Sequence, residues 1–431
     1  MHSSSVKIVS FGKDGISASA AAGRISTGQG TALDAFAKSG DAEKDLKLIG
    51  KVLSSGHNTI IEHMYVTVAF NDVSVLTEQM MIEHRLAAYT VKSRRYVDFS
   101  GAGYLIPDGL GEKEEAYKSH MEYLFGAYEK LLSLDIPRED ARFVLPYCFR
   151  SNFLMSADMR EMLSVARSMT VGRLSVYGEI RHLGKLLLEE LNRVFPGAEK
   201  ALGAGKGEPD TVETDFEIPS PVQARPGAEL VSSPEDAKGM LLRALSANGR
   251  AGMSLKQLTK DERPREMEML NYAFLVKDVS LASVTHFTRH RIQSLIVPKP
   301  VCALRKNAYV LPESIKQSEE ALKIYKEAFA VNAEKAASFR ETGEILSYFA
   351  LAGNTVDILF NMNARELMHF LRLRTCNRAQ WEIRELADRM LKLCMNFSPE
   401  IFRHAGPGCV TGSCPEKRPC GHPRSRDDWN G

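Results

Sequence analysis

The stretch Thr285-His-Phe-Thr-Arg-His-Arg-Ile-Gln-Ser294 sets Arg289, His290 and Arg291 side by side. They close an apolar run that includes Val279, Leu281, Val284 and Phe287. Three such side chains repel one another unless an anion sits among them. A solvated basic helix end is the plainer reading. Two features favour an anion site. The cluster ends an apolar segment, where polar groups need partners. It also has a degenerate twin, Glu83-His84-Arg85, earlier in the chain.

The twin decides the architecture. Val73-Ser-Val75 leading to Glu83-His-Arg85 matches Val279-Ser-Leu281 leading to Arg289-His-Arg291, at an offset of 206. Tyr104-Leu-Ile-Pro107 matches Tyr309-Val-Leu-Pro312, and Met159-Arg-Glu161 matches Ala364-Arg-Glu366, both at 205. Glu179-Ile-Arg181 matches Glu382-Ile-Arg384 at 203. Anchors in order at a nearly constant offset mark a tandem duplication.

Each copy reads alike. A short strand opens it, at 6–11 and 229–232, and a helical stretch around Arg24 or Arg243 follows. A β-rich segment comes next, at 64–70 and 272–276, with alternating and β-branched residues. Then come the helix that ends in the His-Arg cluster, a long amphipathic helix (112–134; 315–341) and a closing pair of helices. Strands mixed with dominant helices, without βαβ alternation, predict an α+β fold. The expected divisions are a first repeat at 1–196, a Gly/Pro/acidic linker at 197–227, a second repeat at 228–405 and a Cys/Gly/Pro-rich tail at 406–431.

Composition bounds the partners. The formal charge of +2, with 26% charged residues, gives no basic stripe for nucleic acid, so any anion site is local. No apolar run is long enough to span a membrane. Met1-His-Ser-Ser-Ser lacks a basic region followed by an apolar one, so no signal peptide is expected. Cys148, Cys302, Cys376 and Cys394 are scattered in apolar contexts and read as reduced thiols of a cytoplasmic protein. Cys409, Cys414, Cys420 and His422 have the donor types of a Cys₃His zinc site, but four and five intervening residues are looser than the usual knuckle. Accessible thiols without metal are the expectation.

The remaining basic residues fall into complementary sets. In Asn363-Ala-Arg365-Glu-Leu-Met-His369-Phe-Leu-Arg372-Leu-Arg374, helical spacing puts Leu367, Phe370 and Leu371 on one face with Arg374 in its middle. Arg365, His369 and Arg372 cluster on the other side. An arginine within an apolar face is either paired with a carboxylate or a clamp for phosphate. The first repeat holds Ser93-Arg94-Arg95-Tyr96 and Ala141-Arg142-Phe-Val-Leu-Pro146. Arg95 aligns with Val301 and Arg142 with Ser347. Conversely, Arg289 aligns with Glu83, Ser294 with Ala88 and Arg374 with Met169. His57-Asn-Thr59-Ile-Ile-Glu62-His63 precedes the first β segment. Read as a strand, it points Glu62 and His63 to opposite faces, which favours hydrogen bonding over metal.

Together these residues resemble the flavin-dependent thymidylate synthase family, whose signature reads R-H-R-x₂-S-x-N-x₂-S-x-R-Y. The family also has an H-x₄-E-H element, an A-R-x-V-L-P element and an N-x-R helix leading to A-Q-W-E-I-R. The second repeat supplies Arg289-His290-Arg291, Ser294, Asn363, Arg365, Arg374 and Ala379-Gln-Trp-Glu-Ile-Arg384. The first supplies His57 to His63, Ser93, Arg95, Tyr96 and the segment from Ala141 to Pro146. The resemblance implies a small antiparallel sheet with flanking helices in each repeat, and composite sites. It implies reductive methylation of dUMP with FAD, NADPH and methylene-tetrahydrofolate, without an enzyme nucleophile. Thr59, Glu62, Arg289, His290, Arg291, Asn363, Arg365 and His369 would hold the flavin. Ser93, Arg95, Arg142 and Arg374 would hold the nucleotide, with Ser294 supporting. A tetrameric single-repeat family implies a homodimer of this double chain. Departures from the signature remain: Thr90 and Ile296 replace its Asn, and Pro298 and Pro300 reshape the second loop. They leave open a different pyrimidine nucleotide or a non-catalytic binding protein.

Overall fold

The structure is a computed structural model that describes residues 4–201, 207–340 and 342–429. Gly203 and Gly205 of the expected linker, Glu341 at the expected end of a helix and the last two residues of the tail lie outside the described residues.

The chain forms two compact units. Unit 1 comprises Met1–Ser133, Leu145–Phe216 and Glu334–Ala350; unit 2 comprises Leu134–Val144, Glu217–Ala333 and Leu351–Gly431. Each therefore includes a short segment from the other half of the sequence.

Unit 1 is built on a four-stranded antiparallel sheet of order β1-β2-β4-β3, from β1 (Ser5–Phe11), β2 (Tyr65–Ser74), β3 (Ala88–Val91) and β4 (Arg150–Asp158). Unit 2 repeats it with β6 (Gly227–Ser232), β7 (Asn271–Ser280), β8 (Gln293–Ile296) and β10 (Thr355–Asn363), in the order β6-β7-β10-β8. It adds a small parallel pair of β5 (Val222–Ala224), from the expected linker, and β9 (Ala308–Val310). The fold is α+β, as expected.

Period-2 alternation sets the buried face. Val66, Val68 and Phe70 of β2 are buried, as are Tyr272, Phe274 and Val276 of β7. Phe70 stacks on Phe153 at 4.6 Å, and Phe274 on Phe360 at 5.6 Å. Both central strands are bulged at the same place. Asp72 and Asp278 take left-handed backbone angles, φ 53° and 56°, which aspartate tolerates better than most residues. Their N–H groups donate to Asn152 Oδ1 at 2.9 Å and Asp357 Oδ1 at 2.8 Å.

Each central strand runs into a short helix, α1 (Val75–Met81) or α2 (Leu281–Thr288), capped by Ser74 or Ser280. Long helices follow at Glu114–Ser133 and Glu319–Ala337. The closing pairs are Met159–Thr170 with Gly178–Val194, and α3 (Ala364–Arg374) with α4 (Trp381–Phe397). The His57 element is a 3₁₀ turn, Asn58–His63, and not a strand: three-residue periodicity replaces the alternation read for it.

The borrowed segments are integral to their units. In unit 1, Phe349 packs edge-on against Tyr117 at 5.5 Å and stacks on His120 at 5.6 Å. In unit 2, the Gly353 N–H donates to the Phe143 carbonyl at 2.8 Å. A Cβ on Gly353 would lie 2.9 Å from Phe143 Cβ, so glycine permits this approach. No described helix is long and apolar enough to cross a membrane.

Candidate functional site

Unit 2 assembles the basic cluster from three elements. The β7–α2 corner is fixed by Glu382 at the start of α4. Its carboxylate accepts from Ser280 N at 2.8 Å, Ser280 Oγ at 2.6 Å and Ser283 Oγ at 2.8 Å. Gln380 caps α4 through Ile383 N and accepts from Ser283 Oγ at 3.3 Å. The Ala379-Gln-Trp-Glu-Ile-Arg384 motif is thus a clamp that aims α2. Glu382 is 1% exposed, and burial raises its pKa against those hydrogen bonds. Glu179 does the same work in unit 1, accepting from Ser74 N at 2.8 Å and Thr77 Oγ1 at 2.7 Å.

At the far end of α2, His290 is buried while Arg289 and Arg291 are exposed on either side. The His290 ring lies edge-on to Phe370 at 4.9 Å. Its Nδ1 is 2.8 Å from Glu366 Oε1, and its Nε2 accepts from Arg374 Nε at 3.3 Å. Arg374 also donates Nη2 to the His286 carbonyl at 3.2 Å. An acceptor at Nε2 puts the ring proton on Nδ1, facing Glu366. Burial lowers the His290 pKa; the Glu366 hydrogen bond opposes this, and the Arg374 charge adds to it. The imidazole is therefore held neutral.

Of the other second-repeat residues, Asn363 caps α3 through Glu366 N at 2.9 Å. Such a cap stabilises a helix by about 1 kcal/mol. Arg365 donates to Glu268 at 2.6 Å, and Ser294 is exposed on the edge strand β8. Arg365, His369 and Arg372 line a cleft of about 630 Å³ together with Lys260, His404 and the tail residues Gly406 and Thr411 to Ser413. Among the described residues no carboxylate pairs with Lys260, Arg372 or His404.

Arg142, from the first repeat, belongs to unit 2. It is 3% exposed, donates Nε to the Glu139 carbonyl at 3.1 Å, and its charge acts on both Glu382 and Asp140. Asp140 Oδ1 accepts from Trp381 Nε1 at 2.7 Å, and Asp140 Oδ2 from Ser314 Oγ at 2.5 Å. The A-R-x-V-L-P and A-Q-W-E-I-R motifs thus meet in one unit.

Unit 1 places the twin cluster differently. Glu83 pairs with Arg173 at 3.1 Å, and burial raises its pKa against that charge. His84 lies 3.6 Å from Glu161, and Met169 stands in the place of Arg374. Ser93 Oγ accepts from Arg95 N at 3.4 Å, and the Arg95 guanidinium lies over Tyr96 at 5.3 Å. Arg94 is the buried arginine there, paired with Glu78 at 3.0 Å. Thr59 and Glu62 lie on the 3₁₀ turn, with Glu62 paired to Arg160. That pair matches Glu268 with Arg365 in unit 2.

Sequence reasoning missed Glu366, Arg94, Asp140 and the cleft residues Lys260 and His404. Glu366 carried a signal, standing beside Arg365 one helical turn from His369. Asp140 carried none, because its partners are remote in sequence. Among the described residues no group of three or more His, Cys, Asp or Glu is arranged to hold a metal ion. Cys409, Cys414, Cys420 and His422 do not converge; Cys420 Sγ instead donates to the His422 carbonyl at 3.3 Å.

The sequence model of the family described as thymidylate synthase complementing protein matches residues 7–197 and 228–400. A flavin-dependent thymidylate synthase of Geobacter sulfurreducens is 36% identical over 156 residues, 35% of this chain and 67% of that protein. One from Clostridium tetani is 32% identical over 171 residues, 35% and 68% of the two chains. A solved thymidylate synthase X from Helicobacter pylori with FAD and dUMP superposes with a TM-score of 0.37 and 19% identity, over 46% of this chain and 99% of that one. Matched along both halves, the chain belongs to the thymidylate synthase complementing protein family, as a tandem member of it.

Proposed function

We propose that this chain is an FAD-dependent thymidylate synthase, which methylates dUMP reductively with methylene-tetrahydrofolate and NADPH in the cytoplasm. The observation that carries the reading is the neutral His290 set between Glu366 and Arg374 and flanked by two exposed arginines. Its support is family membership and two relatives of that name at 36% and 32% identity.

The residues present fit a flavin dinucleotide. Lys260 and Arg372, which have no carboxylate partner among the described residues, and Arg365, paired with Glu268, line a cleft large enough for part of such a ligand. Arg365, His369 and Arg372 would hold its phosphates, and Arg289 and Arg291 its ring edges. When bound, the flavin supplies reducing equivalents and relays the one-carbon unit. The chain's own residues position. His290 adds no charge and fixes Arg374 through Nε2. Glu366 fixes the imidazole in turn. Arg142 and Arg374 would bind the nucleotide phosphate and the polarised pyrimidine edge. Two repeats per chain suit a homodimer, a pseudo-tetramer of repeats, which sedimentation velocity checks.

The test is the visible spectrum of purified or FAD-loaded protein during NADPH addition. Flavin absorbance that bleaches faster with dUMP than with UMP supports the reading. A chain that takes up no FAD at tens of micromolar overturns it.

A further inference from the structure

The tail begins after the last family-matched residue, 400, yet it is built onto unit 2. Arg424 Nη1 donates to both Asp388 oxygens at 2.9 and 2.8 Å, and Trp429 Nε1 to Asp388 Oδ1 at 2.9 Å. The Arg424 guanidinium covers the Trp429 ring at 4.5 Å, and Trp429 is 3% exposed. Asn377 Nδ2 donates to the His422 carbonyl at 2.7 Å. These contacts return the chain to α4 and the turn before it, and Arg426 donates to the Ala405 carbonyl just before the loop 406–413.

That loop lines the cationic cleft. Gly406 sits at φ 129°, a backbone that side-chain-bearing residues avoid. A Cβ on Gly408 would lie 2.8 Å from both Pro415 Cδ and Ser413 O, so the loop is closed tightly on itself. The closure presents Thr411, Gly412 and Ser413 at the same cleft as Arg365 and Arg372. The hydroxyl of Ser413 makes no hydrogen bond within the described chain. Asp261 and Glu262 also line the cleft, Asp261 being bound to Arg250. The family-matched side therefore sets Lys260, Arg365 and Arg372 against the acids Asp261 and Glu262, and the tail side adds a neutral hydroxyl donor, a combination that suits an organic phosphate.

We propose that the tail loop, residues 406–413, is a ligand-binding wall of this cleft and contacts the diphosphate of the bound dinucleotide. The assignment of that dinucleotide as FAD rests on the function proposed above. The loop extends the cofactor site with residues outside the family-matched segments, and its anchor at Asp388 sets how tightly the cofactor is retained.

The experiment is equilibrium binding of FAD, and separately of ADP, to full-length wild type and to Thr411→Asp/Ser413→Asp. Lys417→Glu, an equal charge change on the tail but off the cleft lining, is the matched control. The double variant weakens both ligands at least about tenfold by like-charge repulsion, and the control changes neither more than about twofold. Arg424→Ala, which loosens the anchor without touching the cleft, speeds FAD release in the same direction. Unchanged affinity in the double variant, with wild type binding FAD normally, overturns the tail assignment alone. Binding of ADP but not FAD, weakened in the double variant, overturns the flavin reading and supports the wall. Binding of neither ligand to wild type overturns both.

Discussion

Arg374 Nε donates to His290 Nε2 across 3.3 Å. In the first repeat Met169 holds the place of Arg374, and the corresponding histidine, His84, stands 3.6 Å from its glutamate instead of 2.8 Å. The guanidinium therefore marks the repeat whose imidazole is fixed in one tautomer.

Because Arg374 opposes protonation of His290, Arg374→Met raises the His290 pKa. Burial holds that pKa below its ordinary 6.5 in the native chain. The unfolded chain binds the proton more readily, so stability is fully present above pH 6.5 and falls as pH drops towards the folded value. Histidine-selective NMR titration reads the pKa directly, and urea unfolding at pH 7.5 and pH 5.5 reads the linkage. Both pH effects shrink in Arg374→Met. An unaltered His290 titration in that variant would contradict the tautomer argument.

Arg142 is a first-repeat residue folded into unit 2, so unit 2 should carry the competent nucleotide site. Arg142→Ala lowers dUMP affinity by about tenfold to a hundredfold, the worth of a charge-assisted hydrogen bond of about 1.5–3 kcal/mol. Calorimetric titration of FAD-loaded protein should give one dUMP per chain. Two equal sites per chain, or an Arg142→Ala variant that binds normally, would refute this.

Glu382 satisfies three donors of a buried corner. Glu382→Ala leaves them unpaired and costs about 2–4 kcal/mol of stability, while Glu382→Gln costs less. Chemical denaturation followed by circular dichroism measures both. If Ala and Gln are equally mild, Glu382 is not the clamp described.

The duplication and its fold class were legible because anchors such as Val73/Val279 and Met159/Ala364 keep their spacing. The strands β4 and β10 were not read. Arg150–Asp158 alternates only weakly, with Arg150 and Ser151 buried beside Phe153, so its apolar pattern is diluted. The exchange of segments was also hidden. A constant offset pairs residues 134–144 with 339–349 but does not say which unit either packs into; tertiary contacts such as Phe143 with Gly353 decide that. At the site, the arginines stood out by charge. The carboxylate partners of His290 and Arg365, Glu366 and Glu268, did not, because an acid on a helix or turn reads first as surface.

Loss of the cleft's cations separates cofactor from nucleotide binding. Arg372→Ala, at a side chain with no carboxylate partner among the described residues, leaves stability within about 0.5 kcal/mol and weakens FAD several-fold. Flavin fluorescence titration and thermal unfolding together check it. A large stability loss would reassign Arg372 as structural.

The central claim is chemical, and one measurement addresses it most directly. FAD-loaded protein is incubated with dUMP, methylene-tetrahydrofolate and NADPH, and nucleotide products are separated by chromatography. The account predicts dTMP in amounts exceeding enzyme, and its loss in Arg374→Met, a variant that keeps the fold. No dTMP from protein that holds FAD and binds dUMP would contradict it.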